Sequence, residues 1–302
     1  LPAGRGRVGV RTRRQECERI VHRAMTASGL NETMTYSFAG GDDLELLRMR
    51  EEGMGQAAEL INPMNADHAF MRRSIVPGLL RSVAYNQSHG VADIQLYEVG
   101  TVFFAHEGSK KPREKRRVAG VLAGAMGPKA WNAEPAAFDF FDGKGVLENM
   151  ARELALPKVK FKALGVDEAT HLQPGRAAVM MSGGDVIGWV GEIHPLAVEA
   201  YGAKAPVVAF ELDADALERD MRPARDYVDV PQFPGVQRDI AFVVDEGVSD
   251  EKLMQCMKSA GGALLEGARL FDVYRDDEHV GPGKKSMAYA LTYRAADRTL
   301  TS

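Results

Sequence analysis

The chain has 302 residues, 45% hydrophobic and 26% charged, an ordinary globular composition and enough length for about two domains. Lys and Arg number 38 against 42 Asp and Glu, a net charge of −4, so a uniformly basic surface is excluded and nucleic-acid contact would have to come from local patches. Two cysteines, Cys17 and Cys256, lie far apart without metal-ligand spacing, which indicates a reducing compartment; no apolar run or signal core suggests a membrane or secreted protein.

From the N-terminus, "TRRQECERIVHRAMTASGL" places Ile20, Val21, Ala24 and Met25 at helical spacing and stops at Gly29, so a helix is expected there. "ETMTYSF" reads as a strand. The Asn-Pro turn of "NPMNADHAFMRRSIVPGLLRSVAYNQSHG" leads to Pro77 near the start of an amphipathic helix carrying Leu79, Leu80, Val83 and Ala84. "DIQLYEVGTVFF" alternates as a strand does, and "KKPREKRR" at 110–117, with six basic residues in eight, reads as a solvated hairpin loop before the strand "VAGVLAGA". A helix through Val146, Leu147 and Met150 follows, then strands at "RAAVMM", "DVIGWVGEI" and "PVVAFELD" around the short helix "PLAVEAYG". Helices among antiparallel strands, without regular alternation, give an α+β class.

Around 214–228 the periodicity gives way to charges, prolines and aromatics, which places a linker between a module at 1–213 and a smaller domain at 229–302. In that domain "RDIAFVVDE" is a strand, "SDEKLMQCMKSAGG" a helix with Ser249 as N-cap, and "ARLFDVYRDD" and "KSMAYALTYRA" are two more strands. Strand, helix, strand, strand is the first two-thirds of a ferredoxin-like unit, which needs one more helix and strand, so the domain is expected to be incomplete at its C-terminus.

Glu192 and His194 in "GWVGEIHP" (188–195) have the residue types of an acid–base pair. Such chemistry needs a further group converging on one substrate, and no nucleophile elbow, HExxH or glycine–lysine phosphate loop supplies it. The pair therefore reads as structural, with His-Pro setting a turn and the glycines allowing close packing; no catalytic residue and no metal ligand is assigned. Arg72, Arg73 and Arg81 could hold a phosphate or lie in a subunit interface, where arginine is enriched, and the interface reading is preferred. The basic runs Arg5 to Arg14 and Lys110 to Arg117 could touch an RNA backbone or form solvated faces. In the last domain Arg238, Asp239, Tyr274, Arg275, Lys284, Lys285 and Ser286 fall at strand ends and loops, aromatic and basic groups of the kind that single-stranded RNA recognition uses. An Arg238–Asp239 ion pair is the plainer alternative, and residues 229–302 hold 9 Lys and Arg against 12 Asp and Glu.

Taken in order, "NPMNADHAFMRRSIVPGLLRSVAYN", "LYEVGTVF", "GWVGEIHP" and "FPGVQRDIAFVVDE…LFDVYRDDEHVGPGKKSMAYALTYRAADRTLT" resemble the C-terminal portion of the β subunit of bacterial phenylalanyl-tRNA synthetase over nearly the whole chain. "LPAGRGR" resembles the segment that enters that subunit's catalytic-like module. The resemblance implies an antiparallel-sheet module folded like a class II synthetase catalytic domain but inactive, followed by a ferredoxin-like anticodon-binding domain. It implies a cytoplasmic heterotetramer of two α and two β chains, with ATP and Mg2+ used with phenylalanine at the α active site and none bound to this chain. "GWVGEIHP" is similar to the α subunit's glycine-rich segment ending in His-Pro. In a class II enzyme the next strand leads into a glycine-rich motif ending in Glu-Arg, whose arginine holds ATP; "VVAFELDADAL" has neither the glycines nor the arginine, so amino-acid activation is not expected. By the same resemblance Arg238, Asp239, Tyr274, Arg275, Lys284, Lys285 and Ser286 are expected to face the phenylalanine tRNA, as a domain-level assignment. Glu192 and His194 join Arg72, Arg73 and Arg81 as candidate contacts with the α subunit. The family's OB-type, editing and helix-turn-helix-like modules are not represented, so editing of mischarged tRNA is not expected. Two readings from other classes stand beside this one: a self-sufficient enzyme using Glu192 and His194, and a general RNA-binding protein.

Overall fold

A computed structural model of the chain describes residues 9–50, 55–106, 108–109, 111–127, 130–222 and 229–300. Thr12 opens the first helix, α1 (Arg13–Ala27): its hydroxyl accepts from the Gln15 amide at 3.2 Å while the Gln15 side chain accepts from Thr12 N–H at 3.0 Å, a reciprocal cap. Beyond it come β1 (Asn31–Glu32), β2 (Phe38–Ala39), α2 (Asp43–Leu46), a 3-10 turn at Ala66–His68, β3 (Phe70–Met71) and α3 (Val76–Ser88), with Pro77 in the first turn of α3. Then β4 (Ile94–Phe104), β5 (Arg113–Ala123), α4 (Phe140–Glu153), β6 (Lys160–Ala163), β7 (Leu172–Ser182), β8 (Asp185–Ile193), α5 (Pro195–Ala200), β9 (Val207–Asp213) and α6 (Ala214–Asp220) complete the first of two units.

Seven of these strands form one sheet in the order β1-β4-β5-β9-β8-β7-β6, antiparallel except for β1 against β4. The continuous apolar run of β9 follows from its place near the middle of the sheet, covered on both faces. Val208, Phe210 and Leu212 pack toward α1, α4 and α6, while Val207 and Ala209 pack toward α3 and α5. Both layers are closed, with residues such as Leu79, Leu80, Leu147 and Met150 fully buried.

Three expectations change here. "ETMTYSF" is not a continuous strand: Thr33 N–H reaches the Tyr97 carbonyl at 2.9 Å, but Thr35 gives its N–H to the Glu98 carboxylate, so a side chain replaces the ladder. "KKPREKRR" is not a loop beyond Pro112, because Arg113–Arg117 lie in β5 in register with β4; Lys110 lies outside the described residues. The stretch 214–228 begins with α6, whose Ala214 and Leu217 are buried in the first core, and 223–228 lie outside the described residues.

The second unit contains β10 (Val236–Asp245), α7 (Asp250–Gly261), β11 (Leu265–Tyr274) and β12 (Lys284–Tyr293), with an antiparallel sheet in the order β10-β12-β11. Ser249 caps α7, as expected. Met287, Tyr289 and Leu291 of β12 alternate inward against Leu253, Met254 and Met257 of α7, and the Tyr289 hydroxyl donates to Asp250 at 2.8 Å. The intervening residues Ala288, Ala290 and Thr292 take the opposite face, where Val243 of β10 is 58% exposed. The α+β class, with an antiparallel-sheet module and a ferredoxin-like second unit, agrees with the sequence.

Candidate functional site

Glu192 and His194 do not converge. Glu192 pairs in register with Val208, which places it on the α1/α4/α6 face of the sheet, and its carboxylate accepts two hydrogen bonds from Arg176 at 2.8 and 2.9 Å. His194 sits beyond the strand as the N-cap of α5, its Nδ1 accepting from Leu196 N–H at 3.2 Å. The glycines bring the strands together: a Cβ at Gly188 would overlap the Glu211 carbonyl oxygen, and one at Gly191 would meet Ala177.

Sequence reading singled out neither Glu211 nor His171, and both are buried here. Glu211 is opposite Trp189 and so faces the α3/α5 layer, where it accepts from the Ser74 hydroxyl at 2.7 Å and from Ile75 N–H at 3.1 Å. Burial pushes its carboxyl above the usual range, against the two hydrogen bonds that favour ionisation. His171 packs edge-on against Trp189, with ring centroids 4.8 Å apart, and its Nε2 has no hydrogen-bond partner among the described residues. Burial lowers its pKa to about 4. Nothing in "ATHLQ" distinguishes this buried imidazole from a surface one.

Arg72 is an internal strut rather than a surface contact. It is 6% exposed, pairs with Glu98 at 2.7 Å, and donates to the Thr101 carbonyl at 2.9 Å and the Thr35 hydroxyl at 3.0 Å. Glu98, 3% exposed, also accepts from Thr35 N–H and its hydroxyl, so the group of charges is closed on itself. Arg81 is ion-paired with Asp43 and lies over the Tyr201 ring, while Arg73 donates to the Gly55 carbonyl at 3.4 Å. The basic run is similarly engaged: Arg116 pairs with Glu18, Asp215 and Glu218, and Arg117 with Asp213. In the N-terminal run Arg13 donates to the carbonyls of Glu218 and Arg219 and Arg14 pairs with Glu18; Arg5 and Arg7 lie outside the described residues.

At the β9–α6 turn Asp213 caps the helix by accepting from Asp215 and Ala216 N–H. The Glu218–Arg219 pair one turn later is neutralised within the chain, Glu218 by Arg116 and Arg219 by Asp220 and Asp185. An acidic helix start with its nearest cations already paired does not fit a triphosphate.

In the second unit the seven singled-out residues fall into two places. Tyr274 and Ser286 are cross-strand partners, and Arg275, Lys284 and Lys285 adjoin them, so five gather at one end of the sheet. Arg238 and Asp239 lie about 17 and 14 Å along β10 from Val243, the residue opposite Ser286. Being consecutive on a strand they point to opposite faces, and they form no ion pair. At the clustered end Arg275 is held by Glu246 at 2.8 Å, Lys285 donates to the Glu246 carbonyl at 2.8 Å, and the Tyr274 hydroxyl donates to Asp276 at 3.1 Å. Arg275 holds the Glu246 carboxyl below its usual range. Lys284 is exposed and makes no such bond among the described residues.

Comparison with known proteins bears on both units. Residues 1–214 match the family described as "Phenylalanyl tRNA synthetase beta chain CLM domain", and residues 231–302 match "Ferredoxin-fold anticodon binding domain". The chain is 37% identical over its whole length to a phenylalanine–tRNA ligase beta subunit of Symbiobacterium thermophilum, covering 33% of that protein. It is 36% identical over its whole length to that of Bacillus subtilis, covering 37%, and 38% identical over 95% of its length to that of Moorella thermoacetica, covering 35%. The chain thus spans about a third of the length of the curated relatives it matches. With residues 1–214 of its 302 matched, the chain belongs to the phenylalanyl-tRNA synthetase β-chain family.

Proposed function

We propose that this chain is a non-catalytic part of the β subunit of a phenylalanine–tRNA ligase, acting in the cytoplasm within an assembly of two α and two β chains that attaches phenylalanine to its tRNA. In this reading the module at 1–213 builds the contact with the α subunit, whose active site uses ATP and Mg2+. With α6 (Ala214–Asp220) packed in the core of that module, the domain at 229–302 contacts the anticodon region. The observation that carries the reading is the succession, in one chain, of a β-chain module and an anticodon-binding ferredoxin fold. The engagement of Glu98, Glu192 and Glu211 with partners inside the module supports the absence of catalysis, since a general acid or base must be free to meet a substrate.

For the α contact, Arg73, Arg81 and His194 are at least partly exposed and are the direct candidates, while buried Arg72 and Glu192 would act by holding the framework beneath the surface. For tRNA, the cluster of Tyr274, Arg275, Lys284, Lys285 and Ser286 offers one aromatic ring and three cations at a single sheet end. Arg238 and Asp239 would meet a different part of the same tRNA. The test is sedimentation of the purified chain with the α subunit from the same source. A faster-sedimenting stoichiometric complex is expected, and a chain that sediments unchanged beside folded α overturns the interface role.

A further inference from the structure

The first unit carries a cleft of about 940 Å³ walled by residues 32–42, the 3-10 turn at 66–68 and the outward side of α3. Its apolar side chains are left open: Met34 is 89% exposed, Tyr36 77% and Tyr85 64%. An exposed apolar patch with a polar rim marks a partner surface rather than a solvated face. The rim here is acidic. Asp42 and Asp67 are exposed and pair with no other described residue, and Glu32 stands at the far wall, 3.6 Å from the His22 ring. Arg81 brings a cation to the wall, but Asp43 already neutralises it.

Uncompensated carboxylates beside aromatic rings select a cation, through Coulomb attraction and the negative face of each ring. The same carboxylates repel a phosphate backbone, which disfavours RNA as the occupant. The cleft also opens beside β1, an edge strand of the seven-stranded sheet, where the described residues provide no further strand. We propose that this cleft receives an apolar segment of the α subunit bearing a lysine or arginine, whose charge lies between Asp42 and Asp67 and whose apolar neighbours cover Met34 and Tyr36. This rests on the assembly with α proposed above and names the surface that β supplies to it. Met, Tyr and Arg are residue types enriched at interface cores, which accords with such a contact.

The test uses the full-length β subunit co-expressed with α. Asp42→Lys together with Asp67→Lys should weaken α/β association by roughly tenfold or more in sedimentation equilibrium, as truncation or reversal of interface charges does. Because both residues are exposed and pair with no other described residue, the melting temperature of isolated β should not move. Independently, a photo-crosslinking benzoylphenylalanine at Tyr36 should capture α. Undiminished association of the double variant, or crosslinks only to a second β chain, to tRNA or to nothing, overturns the cleft proposal while leaving the assembly reading intact. Failure of wild-type β to assemble with α overturns both.

Discussion

Glu98 in the first unit accepts from Arg72 and Thr35 at 3% exposure, whereas Glu246 in the second meets Arg275 where both side chains are about half exposed, 50% and 56%. The two ion pairs look alike on paper, with N···O distances of 2.7 and 2.8 Å. Burial separates them: removing one partner of a buried pair strands a charge without water, while an exposed pair competes with solvent and contributes about 0–1 kcal/mol. The Arg72–Glu98 pair therefore holds a framework, whereas the Arg275–Glu246 pair stays open to exchange with solvent ions.

Substitution sharpens this contrast. Arg72→Ala should show the largest effect, a loss of about 3–5 kcal/mol in urea unfolding, because Glu98 is left buried and uncompensated. Next comes acid. The neutral His171 is favoured in the fold, its pKa lowered from 6.5 to about 4, so stability is complete above about pH 6.5 and falls as pH drops through that value, levelling near pH 4. The drop is about 3 kcal/mol, and His171→Phe, which keeps an aromatic ring against Trp189, should flatten that part of the pH profile. Arg176→Ala removes both hydrogen bonds to the largely buried Glu192 and should cost about 1–3 kcal/mol.

In the second unit the same kind of change should barely touch stability. Glu246→Ala is expected to leave the midpoint of urea unfolding unchanged, because solvent screens the exposed pair it breaks. Lys284→Glu should leave the fold unchanged but weaken tRNA binding and lower the slope of log affinity against log salt by about 1, read by filter binding across a salt series. Equal salt slopes in wild type and variant would remove Lys284 from the proposed contact.

Much of this fold was legible because long elements carry their own signals. The apolar spacing of α1 with its stop at Gly29, Pro77 in the first turn of α3 and the alternation of β4 and β12 are local chemistry that survives into the structure. What was not legible depended on partners distant in sequence. Thr35 is drawn out of a strand by a carboxylate 63 residues away, and the charges of Arg116 are absorbed by α1 and α6 rather than displayed in a loop. The engagement of Glu192 by Arg176 follows from the irregular β7–β8 register, which no single-strand pattern reveals. In the second unit, alternation along β10 separates Arg238 from Asp239, while the pairing of β11 with β12 brings Tyr274 to Ser286.

In the proposed role the chain supports aminoacylation without performing chemistry itself. ATP–pyrophosphate exchange dependent on phenylalanine, measured for the purified chain alone and for the α-containing enzyme, decides between the two roles. Exchange is expected only where α is present. Exchange by the chain alone, lost on Glu192→Gln with the fold intact, would overturn the non-catalytic role.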